Sequence, residues 1–180
     1  MSGDDERAAA DNAPSDDSES VTDIIEEAPD GGFDDIVLTT SRYTMPDHVE
    51  ALAFDRDEDS DIQGNASDNE IRGNASDDRI RGHDGDDTLF GFDGNDVLEG
   101  NAGADDLQGG FGDNLLYGGG GGDRLEAGPG NNFFSGGAGA DSVLADAGDD
   151  TIAGGGGNDS LQAGEGDNSI RGDSGRDTIL

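Results

Sequence analysis

Nine aspartates, Asp78, Asp87, Asp96, Asp105, Asp123, Asp141, Asp150, Asp159 and Asp177, stand nine residues or a multiple of nine apart. Gly85, Gly94, Gly103, Gly121, Gly139 and Gly157 lie two residues before an aspartate of this set, and Gly118, Gly136 and Gly154 lie five before. Glycine lets a turn take left-handed conformations and bring its carbonyls close to an ion. Carboxylates beside such carbonyls are hard oxygen donors, and the chemistry they suit is the binding of a hard divalent cation. With no Cys and only two His in the chain, zinc and copper are disfavoured. Magnesium wants a stiffer, more hydrated octahedron than a glycine turn supplies, so calcium is the expected occupant of several sites.

Those residues belong to a single nine-residue unit that repeats thirteen times from Gly64 to Leu180 without an insertion. Position 8 is Ile, Leu or Val in every unit except one, where it is Phe134. Position 4 is Gly except at Ser67 and Ser76, position 1 is Gly or Ala, and position 6 is Asp or Asn. Positions 7 to 9 read as a three-residue strand with its middle side chain inward, and the glycines before them as a turn. Two units then close an eighteen-residue coil in which equivalent positions stack about 4.8 Å apart. Carboxylates stacked at that spacing repel by roughly 3 to 4 kcal/mol at an effective dielectric near 20, which a cation between turns would relieve. The core is one apolar side chain per unit, so ion binding and folding are expected to be one process.

GGGGGDRLE, GGAGADSVL and GGGGNDSLQ resemble, at every defined position, the nonapeptide G-G-x-G-x-D-x-U-x of the RTX, or haemolysin-type, calcium-binding repeat family. The stretch from Tyr43 to Asn74 also looks like the segment that leads into such repeats in large secreted bacterial proteins. The resemblance implies an all-β fold, a right-handed parallel β-roll (a β-solenoid), with calcium held between turns by the position-6 aspartates and turn carbonyls. It also implies export by a one-step, type I machinery, an extracellular location and folding outside the cell. Family members usually carry a C-terminal cap and export signal, whereas this sequence ends with Thr178-Ile179-Leu180 of its last repeat.

The domain reading is an acidic arm over residues 1–32, expected to be disordered, an irregular β lead-in and capping segment over 33–63, and the repeats over 64–180. Within the lead-in, Ile36, Val37, Leu38, Val49, Leu52 and Phe54 mark short strands, and Ile62 falls where position 8 of a degenerate repeat would be. The stretch from Asp55 to Asp61 fails as a helix-loop-helix calcium loop, because Ser60 stands where that loop needs Gly.

Forty-four acids against nine bases, all Arg, give a net charge of -35, which makes nucleic acid a poor partner and cations good ones. No apolar run reaches membrane-spanning length, and the N-terminus lacks the pattern of a cleavable signal peptide. No catalytic motif is present, and His48 and His83 read as exposed polar residues. The triplets at Asn65, Asn74 and Asn158 that satisfy a glycosylation rule are expected from composition alone.

The leading function is therefore a non-catalytic calcium-binding module of a secreted protein. The alternatives are the detached repeat domain of a secreted hydrolase or polysaccharide-modifying enzyme, and a structural or adhesive surface protein whose protein or polysaccharide partner the sequence does not name. Odd and even units stack on opposite edges; at position 6 the odd edge carries Asn69 and then only Asp, whereas Asn114, Asn132 and Asn168 fall on the even edge. So do Ala127, Ala145 and Ala163 at position 1. The odd edge should bind calcium more tightly, an amide oxygen being a weaker ligand than a carboxylate.

Overall fold

The computed structural model describes residues 35–38, 41–47, 49–54 and 58–180. The arm expected to be disordered, His48 and residues 55–57 lie outside the described residues. Four strands lead in: β1 (Asp35–Leu38), β2 (Arg42–Thr44), β3 (Ala51–Phe54) and β4 (Asp61–Gln63). The repeats supply β5 (Glu70–Arg72), β6 (Arg79–Asp84), β7 (Thr88–Asp93), β8 (Val97–Ala102), β9 (Asp106–Phe111), β10 (Leu115–Gly120) and β11 (Arg124–Glu126). They continue with β12 (Phe133–Ala138), β13 (Ser142–Leu144), β14 (Thr151–Gly156), β15 (Ser160–Gln162), β16 (Ser169–Ser174) and β17 (Thr178–Ile179). Among the described residues there is no helix.

Successive strands alternate between two parallel sheets, β1-β3-β5 through β17 in one and β2-β4-β6 through β16 in the other. Within the repeats each strand pairs with the one two units away, as in Leu125↔Val143 and Leu116↔Phe134. The chain is a parallel β-roll, as its period dictates.

Between the sheets the position-8 side chains form two facing columns. Ile71, Leu89, Leu107, Leu125, Val143 and Leu161 rise on one side, and Ile62, Ile80, Leu98, Leu116, Phe134 and Ile152 on the other, all buried. Leu52 extends the first column downward, and Met45 and Val49 join the same core from the lead-in. Burying each such side chain contributes about 1.5 to 3 kcal/mol, and the backbone ladder holds the columns in register.

Strand length departs from the three residues expected. In β6 to β10, β12, β14 and β16 pairing resumes beyond position 9, past the glycine at position 1, as in Gly119↔Gly137. Position 2 takes up the bend on left-handed backbone, with φ +116 at Gly119 and +108 at Gly137. The cost shows where that residue has a side chain: His83, Phe92, Asn101 and Asp173 also sit at positive φ. By contrast β11, β13 and β15 stop at position 9, each just before Ala127, Ala145 or Ala163.

Candidate metal centre

The first edge of the roll consists of the turns leading into β7, β9, β11, β13, β15 and β17. They carry Asp87, Asp105, Asp123, Asp141, Asp159 and Asp177. The second edge, leading into β6, β8, β10, β12, β14 and β16, carries Asp78, Asp96, Asn114, Asn132, Asp150 and Asn168. All but Asn168 and Asp177 are buried.

One oxygen of each side chain has a fixed duty. The backbone N–H of position 6 in one layer donates to Oδ1 of position 6 in the next: Asn69 to Asp87 at 2.8 Å, Asp87 to Asp105 at 2.9 Å, Asp105 to Asp123 at 3.0 Å, Asp123 to Asp141 at 2.9 Å. The second edge repeats this from Asp78 to Asp96 at 2.8 Å and onward. The other oxygen has no such duty. Oδ2 of Asp87, Asp96, Asp105, Asp123, Asp141, Asp150 and Asp159 is buried without a hydrogen-bond partner. A buried carboxylate oxygen left without a donor is costly, which makes these seven atoms candidate ligands for a cation.

What they face is the backbone. A methyl group placed on Gly118 would lie 2.3 Å from Asp123 Oδ2 and 2.6 Å from the Gly136 carbonyl; on Gly136 it would lie 2.4 Å from Asp141 Oδ2 and 2.6 Å from the Gly154 carbonyl. Carboxylate and carbonyl therefore converge over a bare Cα, a gap that any side chain would fill. At position 4, Gly85, Gly94, Gly103, Gly121, Gly139 and Gly157 have φ between +109 and +145, and each directs its carbonyl at the position-4 glycine of the next turn. Gly121 O would lie 1.4 Å from a methyl on Gly139.

Charge in this setting is poorly tolerated. Burial, with repulsion from Asp105 and other acids added, pushes the Asp87 carboxyl up to about 7, and burial with the Asp78 charge does the same to Asp96. Burial pushes Asp123 up to about 6, with Asp105 and Asp141 contributing, and raises Asp78, Asp105, Asp141 and Asp150 as well. Among the described residues no three His, Cys, Asp or Glu side chains cluster as a metal site. Each of these seven turns offers one buried carboxylate with a free oxygen, so the remaining ligands would be main-chain carbonyls. Hard oxygens of this kind, with no nitrogen or sulfur among them, fit calcium.

A family model, the RTX calcium-binding nonapeptide repeat, matches the chain four times, over residues 57–89, 90–125, 117–152 and 144–179. The chain belongs to the RTX calcium-binding repeat family. Membership indicates calcium binding by these repeats. None of the curated proteins compared with it matches. Among the described residues no helix is long and apolar enough to cross a membrane.

Not every RTX turn here is equivalent. Asp78 is satisfied by protein: Oδ1 accepts from the Ser60 N–H and hydroxyl at 2.9 and 2.7 Å, and Oδ2 from the Asn74 N–H at 2.7 Å. Ser60, read from sequence only as a misfit, thus starts this ladder. Asn65 and Asn74, whose glycosylation triplets composition alone explains, are buried. Their side chains close the two turns that lack the position-4 glycine, accepting from the Ser67 and Ser76 N–H groups, and tie the lead-in to the roll by donating to the Val49 and Glu58 carbonyls. Asp177 belongs to the last turn and is half-exposed. His83 is exposed, as expected of it.

A second, outer ladder runs along position 5. On the second edge the position-5 side chains Asp77, Asn95, Asp113, Asn131 and Asp149 each accept from the position-5 N–H of the following layer, at 2.6 to 2.9 Å. On the first edge the same row is broken by Ala104, Gly122 and Ala140. Position 5 varies in type, and only the stacking shows that Asp and Asn there share a task.

Proposed function

We propose that the roll binds several calcium ions between successive turns, and that this binding is what makes the repeats fold. The observation that carries the reading is the set of seven buried Oδ2 atoms with no hydrogen-bond partner, five of which, on Asp96, Asp105, Asp123, Asp141 and Asp159, converge with a glycine carbonyl over a bare glycine. A bound calcium ion would supply positive charge where these carboxylates and carbonyl oxygens converge. Asp87, Asp96, Asp105, Asp123, Asp141, Asp150 and Asp159 would hold it through Oδ2, with the carbonyls of Gly118, Gly136 and Gly154 and of the position-4 glycines as neutral ligands. Asp78 and Asp177 are weaker candidates, the first because protein donors already satisfy it and the second because it is more exposed.

Without the ion the same residues oppose folding, since like charges stack and buried oxygens lack partners. The repeats therefore suit a module that stays open at low calcium inside a cell and closes outside, after export through a type I route. Extracellular calcium modules commonly bind at about 10⁻⁴ to 10⁻³ M, which fits that use. The module's role is structural, with no catalysis of its own.

Far-UV circular dichroism of the full chain, titrated with calcium, controlled with magnesium and reversed with a chelator, tests this. A gain of β signal with calcium alone is expected, and a full β signal in excess chelator would overturn the coupling.

A further inference from the structure

The two edges treat the unpartnered oxygen differently. We propose that Asn114, Asn132 and Asn168 are built-in substitutes for calcium, so that most of the upper second edge is closed by side-chain amides and takes up ions only at Asp96 and Asp150. This rests on the calcium reading above.

The amide orientation is fixed by its neighbours. Oδ1 of Asn114 accepts the Asp96 N–H at 2.9 Å, Oδ1 of Asn132 the Asn114 N–H at 2.9 Å, and Oδ1 of Asn168 the Asp150 N–H at 2.8 Å. Nδ2 must then face the turn, in the place of an aspartate Oδ2. There it donates: Asn114 to the carbonyls of Gly112 and Gly110 at 3.2 and 3.4 Å, Asn132 to those of Gly128 and Gly130, both at 3.1 Å, and Asn168 to that of Ala163 at 3.4 Å. These are turn carbonyls that a cation would otherwise draw on. An N–H donor satisfies them with no ion and cannot coordinate one. The asymmetry expected from sequence therefore has a different origin: asparagine is not a weaker oxygen ligand here, because its oxygen is already committed to the backbone.

Position 1 also differs on this edge. Asn132 and Asn168 follow Ala127 and Ala163, whose methyl groups occupy the position left bare over Gly118, Gly136 and Gly154. The strands before them, β11 and β15, end at position 9 instead of continuing; β13 ends the same way before Ala145 and Asp150, so the alanine alters the cradle without by itself deciding the side chain at position 6. Asn114 follows Gly109 and keeps the glycine cradle, which makes it the turn where one substitution should restore a site.

The test compares Asn114→Asp and Asp123→Asn with the unaltered chain, counting bound calcium by equilibrium dialysis and following β signal in excess chelator. Asn114→Asp is expected to raise the count by at least one ion per chain and to lower the β signal in chelator. Asp123→Asn is expected to lower the count by at least one and to raise that signal. An unchanged count in Asn114→Asp, or a weaker chelator signal in Asp123→Asn, overturns the proposal while leaving calcium binding intact. No calcium uptake by the unaltered chain overturns the functional reading and this inference with it.

Discussion

The two edges share one backbone path and one eighteen-residue register, yet they hold successive turns together by different means. On the first edge five consecutive buried carboxylates, Asp87 to Asp159, point an unsatisfied oxygen at the turns, and the outer row is interrupted at three layers. On the second edge only Asp96 and Asp150 do so, amides occupy the intervening layers, and the outer row is continuous. A turn can thus be closed by an ion or by side-chain-to-backbone hydrogen bonds. The roll uses both, one mainly on each side.

If the difference resides only in positions 1, 5 and 6, then position 4 should be equally unforgiving on both edges. Gly139→Ala places a methyl 1.4 Å from the Gly121 carbonyl at φ +141, and Gly148→Ala places one 1.9 Å from the Gly130 carbonyl at φ +149. Each should cost about 3 kcal/mol or more, by overlap added to backbone strain. Denaturant unfolding in saturating calcium measures both, and a large difference between them would break the comparison.

A smaller effect comes from protons. The folded-state values of Asp87 and Asp123, about 7 and about 6, lie above the ordinary 3.8, so the folded chain holds protons that the unfolded chain has lost. Their contribution to stability is present in full below about 4 and disappears as pH rises toward 7. Calcium-free protein should accordingly gain β structure on going from pH 7.5 to 5. Asp87→Asn should flatten this profile and Asn114→Asp steepen it, as read by circular dichroism in chelator. A profile indifferent to both would separate the carboxylates from the folding problem.

The smallest effect belongs to the outer row. Asn131→Ala removes the acceptor for the Asp149 N–H without changing charge, and should cost about 1 kcal/mol while leaving the calcium count unchanged. A lost ion would show that the outer row also serves the metal.

The period alone made the two sheets, the position-8 columns and the position-6 ladder legible, because a nine-residue repeat that closes every two units stacks like on like. The lead-in was harder. Leu52 and Ile62 could be placed by apolar character, but the bonds by which Ser60, Asn65 and Asn74 join the lead-in to the roll reach residues sixteen or more positions away, which no local pattern records. Asn114 and Asn132 were visible as exceptions, but which end of each amide faces the turn depends on a backbone N–H eighteen residues earlier. Strand continuation past position 9 was missed because the glycines there read as turn.

The core, one apolar side chain deep on each side, also sets how the fold answers to temperature. Heat-capacity change on unfolding rises with the apolar surface exposed and falls with the polar surface. A chain that buries one large apolar side chain per nine residues, beside buried carboxylates, amides and peptide groups, has a small change for its length. Its stability curve is correspondingly flat, so warming or cooling by tens of degrees moves its folding free energy little, and the ion concentration around it becomes the variable to which it responds.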